Sequence, residues 1–428
     1  MFDNTNEFKS IICYIILLLI VYFINKKNYI VLTFSWSFTS FSLGGGLVFG
    51  LPFARYYLSL LYIFTLYFFI KSINLEKSGK KVDFFGILLI TILIKIVLDT
   101  LVYGIDEFRA ESLIFGFHVI ILSIYVFHKS FVNNGYEKTL KDFILSGLLI
   151  HGIISIVLFY PIFQNQLIPA IGLGHRISIF KQDTINSGKP FFFYIIFLLA
   201  AINMKLIQVK FLRYLASIIG VFCLIILILN GTRAFPIALF CVVVFPLLKF
   251  NIRTIGITSV LLIYLPVLFS SIEDNYGDLI IVQRFSADHL NSEKTEGREA
   301  IWKRGFSLMV SENPILGLGF RNFGEVGDVS DPDNPNVVIR KDNAHGFFQE
   351  VFIEHGIILG VLLLLSFFYT LYRLRVYSGK DSPTFKAIFI VLISFFITNL
   401  FSGSFLNAIG YFYLGLFLYH IPKPRMVR

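Results

Sequence analysis

Cysteine is nearly missing from this 428-residue chain, and charge is sparse. Only Cys13, Cys223 and Cys241 occur, all inside apolar runs, so neither a disulfide framework nor a thiolate metal site can be assembled and core packing is their expected role. Charged residues make up 15% of the chain against 56% hydrophobic, with a mean hydropathy of +0.76. An ordinary soluble domain cannot hide that much apolar surface, so the chain reads as a polytopic membrane protein. No internal repeat, low-complexity tract or soluble domain accompanies the apolar runs, apart from one long polar stretch. The first run, Ile11 to Ile24, has no small-residue cleavage site after it and is expected to stay as a span. The formal charge of +10 is dispersed in short clusters between apolar runs, which excludes a nucleic-acid surface and marks topology anchors instead.

What is present is a series of apolar runs at roughly 10–25, 29–50, 56–72, 83–104, 112–128, 142–161, 189–205, 212–230, 234–249, 252–272 and 345–371. A final block from Thr384 to His420 is split by Ser402-Gly403-Ser404. The expectation is an all-α bundle of about 12–13 spans, each of ~20 residues to match the bilayer. It divides into a membrane bundle over 1–272, one large external loop with short helices over 273–344, and C-terminal membrane helices over 345–428, as one integrated unit. Lysine and arginine recur at every second connection: Lys26 and Lys27, Lys71 to Lys81, Lys129 to Lys141, Lys205 to Arg213, Lys249 and Arg253, and Arg373 to Lys386. Those connections belong in the cytoplasm. The alternate ones face outward, and with them the N-terminus. Residues 273–344 hold 13 of the 27 acidic and eight of the 37 basic residues, a negative excursion in a positive chain, as an external loop requires.

The chemistry concentrates in and beside that loop. From Arg298 to Val310 the apolar positions Ile301, Trp302, Gly305, Phe306 and Met309 recur at helical spacing, which predicts a short amphipathic helix lying on the outer ends of the membrane helices. Arg298 sits at the edge of that stripe, and an inward guanidinium needs an anionic partner. Asn313-Pro314 ends the helix, and Gly317-Leu318-Gly319 follows as a turn with exposed amides. No strand precedes these glycines and no Gly-Lys-Ser/Thr follows, so neither a dinucleotide fingerprint nor a P-loop is credible. His345 opens the next span with Asp342 or Asn343 as its cap. There an imidazole beside a positive helix end stays neutral and can act as a general base. Gly356, eleven positions on, returns to nearly the same helical face and admits a neighbouring helix closely.

Arg233 is held in the short turn Asn230-Gly231-Thr232-Arg233-Ala234, where a charge is costly unless used. Two cations able to fork onto phosphate oxygens and one titratable base form chemistry for an anionic lipid-linked substrate. Blander roles fit other residues. Trp302 reads first as an interface or packing residue, and Lys95 with Asp99, four apart, as a structural ion pair. His118 and His151 read as hydrogen-bonded core groups. Glu350 and Glu354 enter the membrane on other faces than His345. The connection from His175 to Lys189 reads as a polar loop, with glycan or phosphate binding as its alternative. His345, Glu354 and His355 point to divergent faces of a helix, so no metal site is expected.

The pattern of Arg298, Trp302, Pro314-x-x-Gly-x-Gly and His345 to Gly356, in a large external loop late in a polytopic chain, resembles the O-antigen ligase and O-antigen polymerase superfamily over roughly residues 225–370. Gly346 stands where the family often has Asn, and Ile237 where it often has Leu. The resemblance implies a bacterial cytoplasmic-membrane enzyme that takes a glycan from undecaprenyl diphosphate and transfers it to an acceptor hydroxyl without metal, nucleotide or other cofactor. It implies that Arg233 and Arg298 bind the diphosphate, that His345 is the base, and that Trp302 and Gly356 support them. The expected partners are the lipid-linked donor, a glycan acceptor, membrane lipids and a chain-length regulator. The favoured activity is a polymerase joining lipid-linked repeat units into O-antigen or capsular polysaccharide. A ligase acting on lipid A-core is the first alternative. A transporter or flippase of the same lipid-linked glycan is the second, although transporters more often carry repeated halves and midplane charges.

Overall fold

The computed structural model describes residues 47–48, 51–52, 84–104, 136–165, 184–230, 232, 234–247, 293–319, 329–330, 338–339, 346–378 and 382–402. Among these residues the chain is helical except for two small antiparallel ladders. One pairs β1 (Leu47–Val48) with β2 (Leu51–Pro52), and the other pairs β3 (Val329–Ser330) with β4 (Val338–Ile339). The helices are α1 (Phe84–Tyr103), α2 (Tyr136–Asn165), α3 (Thr184–Asn203), α4 (Lys210–Asn230), α5 (Ala234–Leu247), α6 (Glu293–Glu312), α7 (Phe347–Ser378) and α8 (Pro383–Ser402). Seven of them follow apolar runs expected from the sequence, and α8 stops at the Ser402 break. The expected runs at 10–25, 56–72, 112–128 and 252–272, and the chain after Ser402, lie outside the described residues, as does all but two residues of 29–50.

Two of the apolar helices play opposite parts. α3 packs against α2, α4 and α8, and its residues Phe191 to Tyr194, Ile196 to Leu198, Ala200 and Ala201 are all buried. A helix apolar on every face belongs in the middle of a bundle. α4 instead buries a narrow stripe, Gly220, Cys223, Ile226, Leu227 and Asn230, and exposes Phe211, Tyr214, Ile218, Phe222, Ile225 and Ile228. Among the described residues it is the helix long and apolar enough to cross a membrane by length and composition. An exposed apolar face of that size is stable against lipid and unstable in water. From α3 the packing runs outward through α8 to α5 and α7, and from α7 to α6 and α1.

Aromatic side chains fill the space between these helices. Phe197 meets Phe143 edge to face at 5.4 Å, and Phe192 stacks on Phe235 at 4.9 Å, which ties α3 to α2 and α5. Several polar groups inside the helices bond within their own helix. Thr100, Ser394 and Thr398 each donate to the carbonyl four residues back at 2.6–2.8 Å, and His151 Nδ1 bonds Gly147 O at 2.8 Å. His151 is therefore a core group, as the sequence reading expected, with its ring set between Phe193 and Phe197. Tyr194 Oη donates to Ala216 O at 2.9 Å and joins α3 to α4.

This division of labour predicts an asymmetry. Phe197→Ala leaves a cavity at the bundle centre and lowers stability by about 3–5 kcal/mol, while Phe211→Ala, on the exposed face of α4, changes it by about 0.5 kcal/mol or less. Thermal unfolding of the detergent-purified variants checks both, and equal shifts would refute the assignment of α3 to the centre.

Candidate functional site

The polar stretch meets the bundle through α6. Its helix begins earlier than the expected Arg298 start, at Glu293, because Glu293 to Glu299 contains no helix breaker except Gly297 and places acidic residues at the positive helix end. The predicted stripe is the packed one. Gly305 and Met309 are buried, Ile301, Trp302 and Phe306 half-buried, and Lys303 exposed. Met309 forms a cluster with Leu318 and Ile353, flanked by Ile301, Phe306 and Leu308, and the Phe306 ring lies 6.4 Å from Phe352. The stripe therefore rests on the first part of α7.

Past α6 the chain turns sharply under Asn313. Its amide donates to Met309 O at 3.0 Å, its carbonyl accepts from Gly317 N at 2.8 Å, and its side-chain Oδ1 accepts from Leu316 N at 3.0 Å. An asparagine offering three backbone-like bonds replaces the helix that Pro314 prevents.

The turn then docks backbone to backbone onto a break in α7. At Gly356 the chain adopts φ 82° and ψ 174°, which interrupts the helical ladder. The Ile357 amide, which in a regular helix would donate to Ile353 O, donates to Pro314 O at 3.0 Å. Ile353 O accepts from Leu318 N at 2.9 Å, and Glu354 O accepts from Gly319 N at 3.0 Å. The turn thus supplies partners for three backbone groups beside the break. Gly317 and Gly319 also have positive φ, 76° and 95°. A Cβ at Gly356 would strike Ile315 O and Gly317 N, one at Gly317 would strike the Glu354 carbonyl, and one at Gly319 would strike the Tyr103 ring of α1. A missing side chain at Gly356 predicts the close approach of a neighbouring helix. What approaches is the Pro314-Ile315-Leu316-Gly317 backbone, since a turn, unlike a helix, can offer free amides and carbonyls to a broken ladder.

Ionisable side chains gather at the same place. Glu350, Glu354 and His355 on α7 are buried, and the Lys95–Asp99 ion pair of α1, also expected from spacing, meets α7 at Glu354. Lys95 Nζ donates to Glu354 O at 3.4 Å.

Arg298 lies on α6, with its side chain outside the described residues, and Trp302 is half-buried one turn further along. Gly356 sits in the docked break. Arg233 and His345 lie outside the described residues, but their flanks are placed. Beside Arg233, Thr232 Oγ1 donates to the buried Asn230 Oδ1 at 2.6 Å, and Phe235 N donates to Thr232 O at 3.3 Å. Beside His345, Gly346 O accepts the first helical bond of α7 from Glu350 N at 2.8 Å, so the helix proper starts at Phe347. The structure thus joins the helix of Arg298 to the start of α7. The Arg233 turn connects to them through α5, α8 and α7.

Two features escaped the sequence reading. Lys189, at the boundary between the His175 connection and the 189–205 apolar run, is a buried residue of α3, and its neighbour Gly188 is pressed against Asn230 and Phe235 on either side of the Arg233 turn. Its signal was a lysine leading directly into Pro190 and an aromatic run. The docking of Gly317 and Gly319 onto Gly356 left only three glycines as a trace, and glycine spacing carries no information about which backbone will come near.

Gly356→Ala should weaken this docking on two counts, a left-handed backbone and a backbone clash, by about 1–3 kcal/mol. Limited proteolysis between Glu312 and Gly319 should accelerate in the variant. An unchanged cleavage rate would show that the docking tolerates a side chain.

No curated protein matches the chain. The family model described as O-Antigen ligase matches residues 218–365, an interval that opens inside α4, contains the Asn230 to Phe235 turn and α6, and closes beyond the break in α7. The matched interval holds the Arg233 turn, α6 and the docked break of α7, and over it the chain is similar to the O-antigen ligase family.

Proposed function

We propose that this protein is a multi-pass enzyme of the bacterial cytoplasmic membrane that polymerises undecaprenyl diphosphate-linked oligosaccharide repeat units on the outer face. The observation that carries the reading is the docking of the Pro314-x-x-Gly-x-Gly turn onto Gly356, which couples the Arg298 helix to the start of the helix that follows His345. The family match over the same interval supports glycan transfer from a lipid-linked donor in general.

In the reaction, the acceptor sugar hydroxyl attacks the anomeric carbon of the donor. A new glycosidic C–O bond forms as the bond to the diphosphate breaks, and undecaprenyl diphosphate leaves with inversion at that carbon. His345 takes the hydroxyl proton. Arg233 and Arg298 fork onto the diphosphate oxygens and offset the charge that develops there as the bond breaks. Trp302 and Gly356 hold this machinery in place, the first in the packed stripe of α6 and the second in the docked break. A chain-length regulator is a further partner of such a polymerase.

A second reading, transfer of the finished glycan to lipid A-core, is favoured by the description of the matching family as a ligase. The groups that hold the diphosphate and take the proton serve either acceptor. Purified protein supplied with lipid-linked repeat units decides between them: longer chains on the carrier identify a polymerase, and product only with lipid A-core identifies a ligase. A protein that moves the lipid without forming a glycosidic bond would be a transporter.

His345→Ala, Arg298→Ala and Arg233→Ala should each lower the transfer rate by roughly 10²-fold or more. Full glycan chain-lengthening by His345→Ala, at wild-type expression, would remove the base assignment.

A further inference from the structure

We propose that Lys95 is a positioning residue for glycan transfer, acting through the break in α7. The break frees the Glu354 carbonyl from a regular ladder, and two donors from different parts of the chain converge on it. Gly319 N arrives from the loop at 3.0 Å, and Lys95 Nζ arrives from α1 at 3.4 Å. Asp99, one turn along α1, pairs with the same ammonium and fixes its direction. Lys95 and Asp99 are 11% and 15% exposed, so the pair is largely withdrawn from solvent. An ion pair in that setting stabilises a fold little more than an apolar pair of equal volume. What it adds is direction, because an ammonium held by a carboxylate binds a carbonyl at one place only. The first part of α7, from Phe347 to His355, meets the rest of that helix at Gly356, where the helical ladder is interrupted. Its angle is therefore set from outside, by the turn on one side and by Lys95 on the other. Tyr103, at the end of α1, closes the arrangement by lying against Gly319, so α1 touches both the carbonyl and the turn that binds it.

The inference rests on the reading that the base stands at the start of α7. A small change of angle at the break is amplified over the turns that separate Gly356 from that start, and reacting groups moved by about 1 Å can lose about 10²-fold in rate.

Two measurements on the full-length protein test it. In transfer assays per folded molecule, Lys95→Met should lower kcat by on the order of 10-fold or more with the donor KM unchanged, and Lys95→Arg should restore most of it. The paired variant Lys95→Met/Asp99→Leu, which removes both charges of the pair, should fold as wild type and still be slow. In a cysteine-free background, spin labels at Gln349 and Leu365 report the distance across the break, which should be narrow in wild type and shifted or broadened in Lys95→Met. Unchanged transfer in the paired variant, or an unchanged distance in Lys95→Met, overturns the proposal. A wild-type protein that transfers no glycan while the distance still depends on Lys95 refutes the glycan-transfer reading and leaves the control of the break by Lys95 intact.

Discussion

Three backbone hydrogen bonds between the Pro314 to Gly319 turn and the Ile353 to Ile357 segment hold the site together. Each partner is a group that its own element cannot satisfy. The turn has amides and a carbonyl left over because Pro314 ends α6, and α7 has a carbonyl and an amide left over because Gly356 departs from helical geometry. In an apolar surrounding an unmade bond of this kind costs several kcal/mol, so neither irregularity is tenable alone and the two occur together. The same logic places the glycines. Side chains at Gly317 and Gly356 would separate the two backbones, and Gly319 leaves room for Tyr103.

From that contact the remaining placements follow. α6 can lay Met309 and Phe306 on α7 only if its end is anchored, and the anchor is the docked turn. The Lys95–Asp99 pair enters at the same carbonyl, so α1, α6 and α7 share one junction although they are far apart in sequence. The bundle behind it is apolar and aromatic, centred on α3, and it reaches the junction through α8. The outer part is thus polar and backbone-mediated, the inner part held by side-chain packing.

Much of this was legible in the residues. The positions of α1 to α5, α7 and α8 follow apolar runs, the packed stripe of α6 follows helical periodicity, and the Lys95–Asp99 pair follows four-residue spacing. The resemblance to the O-antigen ligase family was legible as well, from arginine, histidine and glycine residues set late in the chain, and a family match covers 218–365. Harder to foresee was which apolar helix is central. α3 and α4 have much the same composition, yet one is buried on every face and the other exposes a broad face, since lipid and protein neighbours reward the same side chains. The burial of Lys189 was hard to foresee for a related reason, because a helix starting at Thr184 carries it inside the bundle while local polarity suggests a loop.

By itself the amino-acid sequence determined the apolar, helical character of the chain, the approximate places of the helices, the stripe on α6 and the set of charged groups available for chemistry. Those properties depend on spacing along the chain, which periodicity reports directly. Tertiary structure alone decided that Gly356 breaks its helix, that the Pro314 turn fills the break, and that Lys95 meets the Glu354 carbonyl. These are contacts of backbone atoms, and every residue carries the same backbone. No choice of side chain announces which distant amide a carbonyl will find.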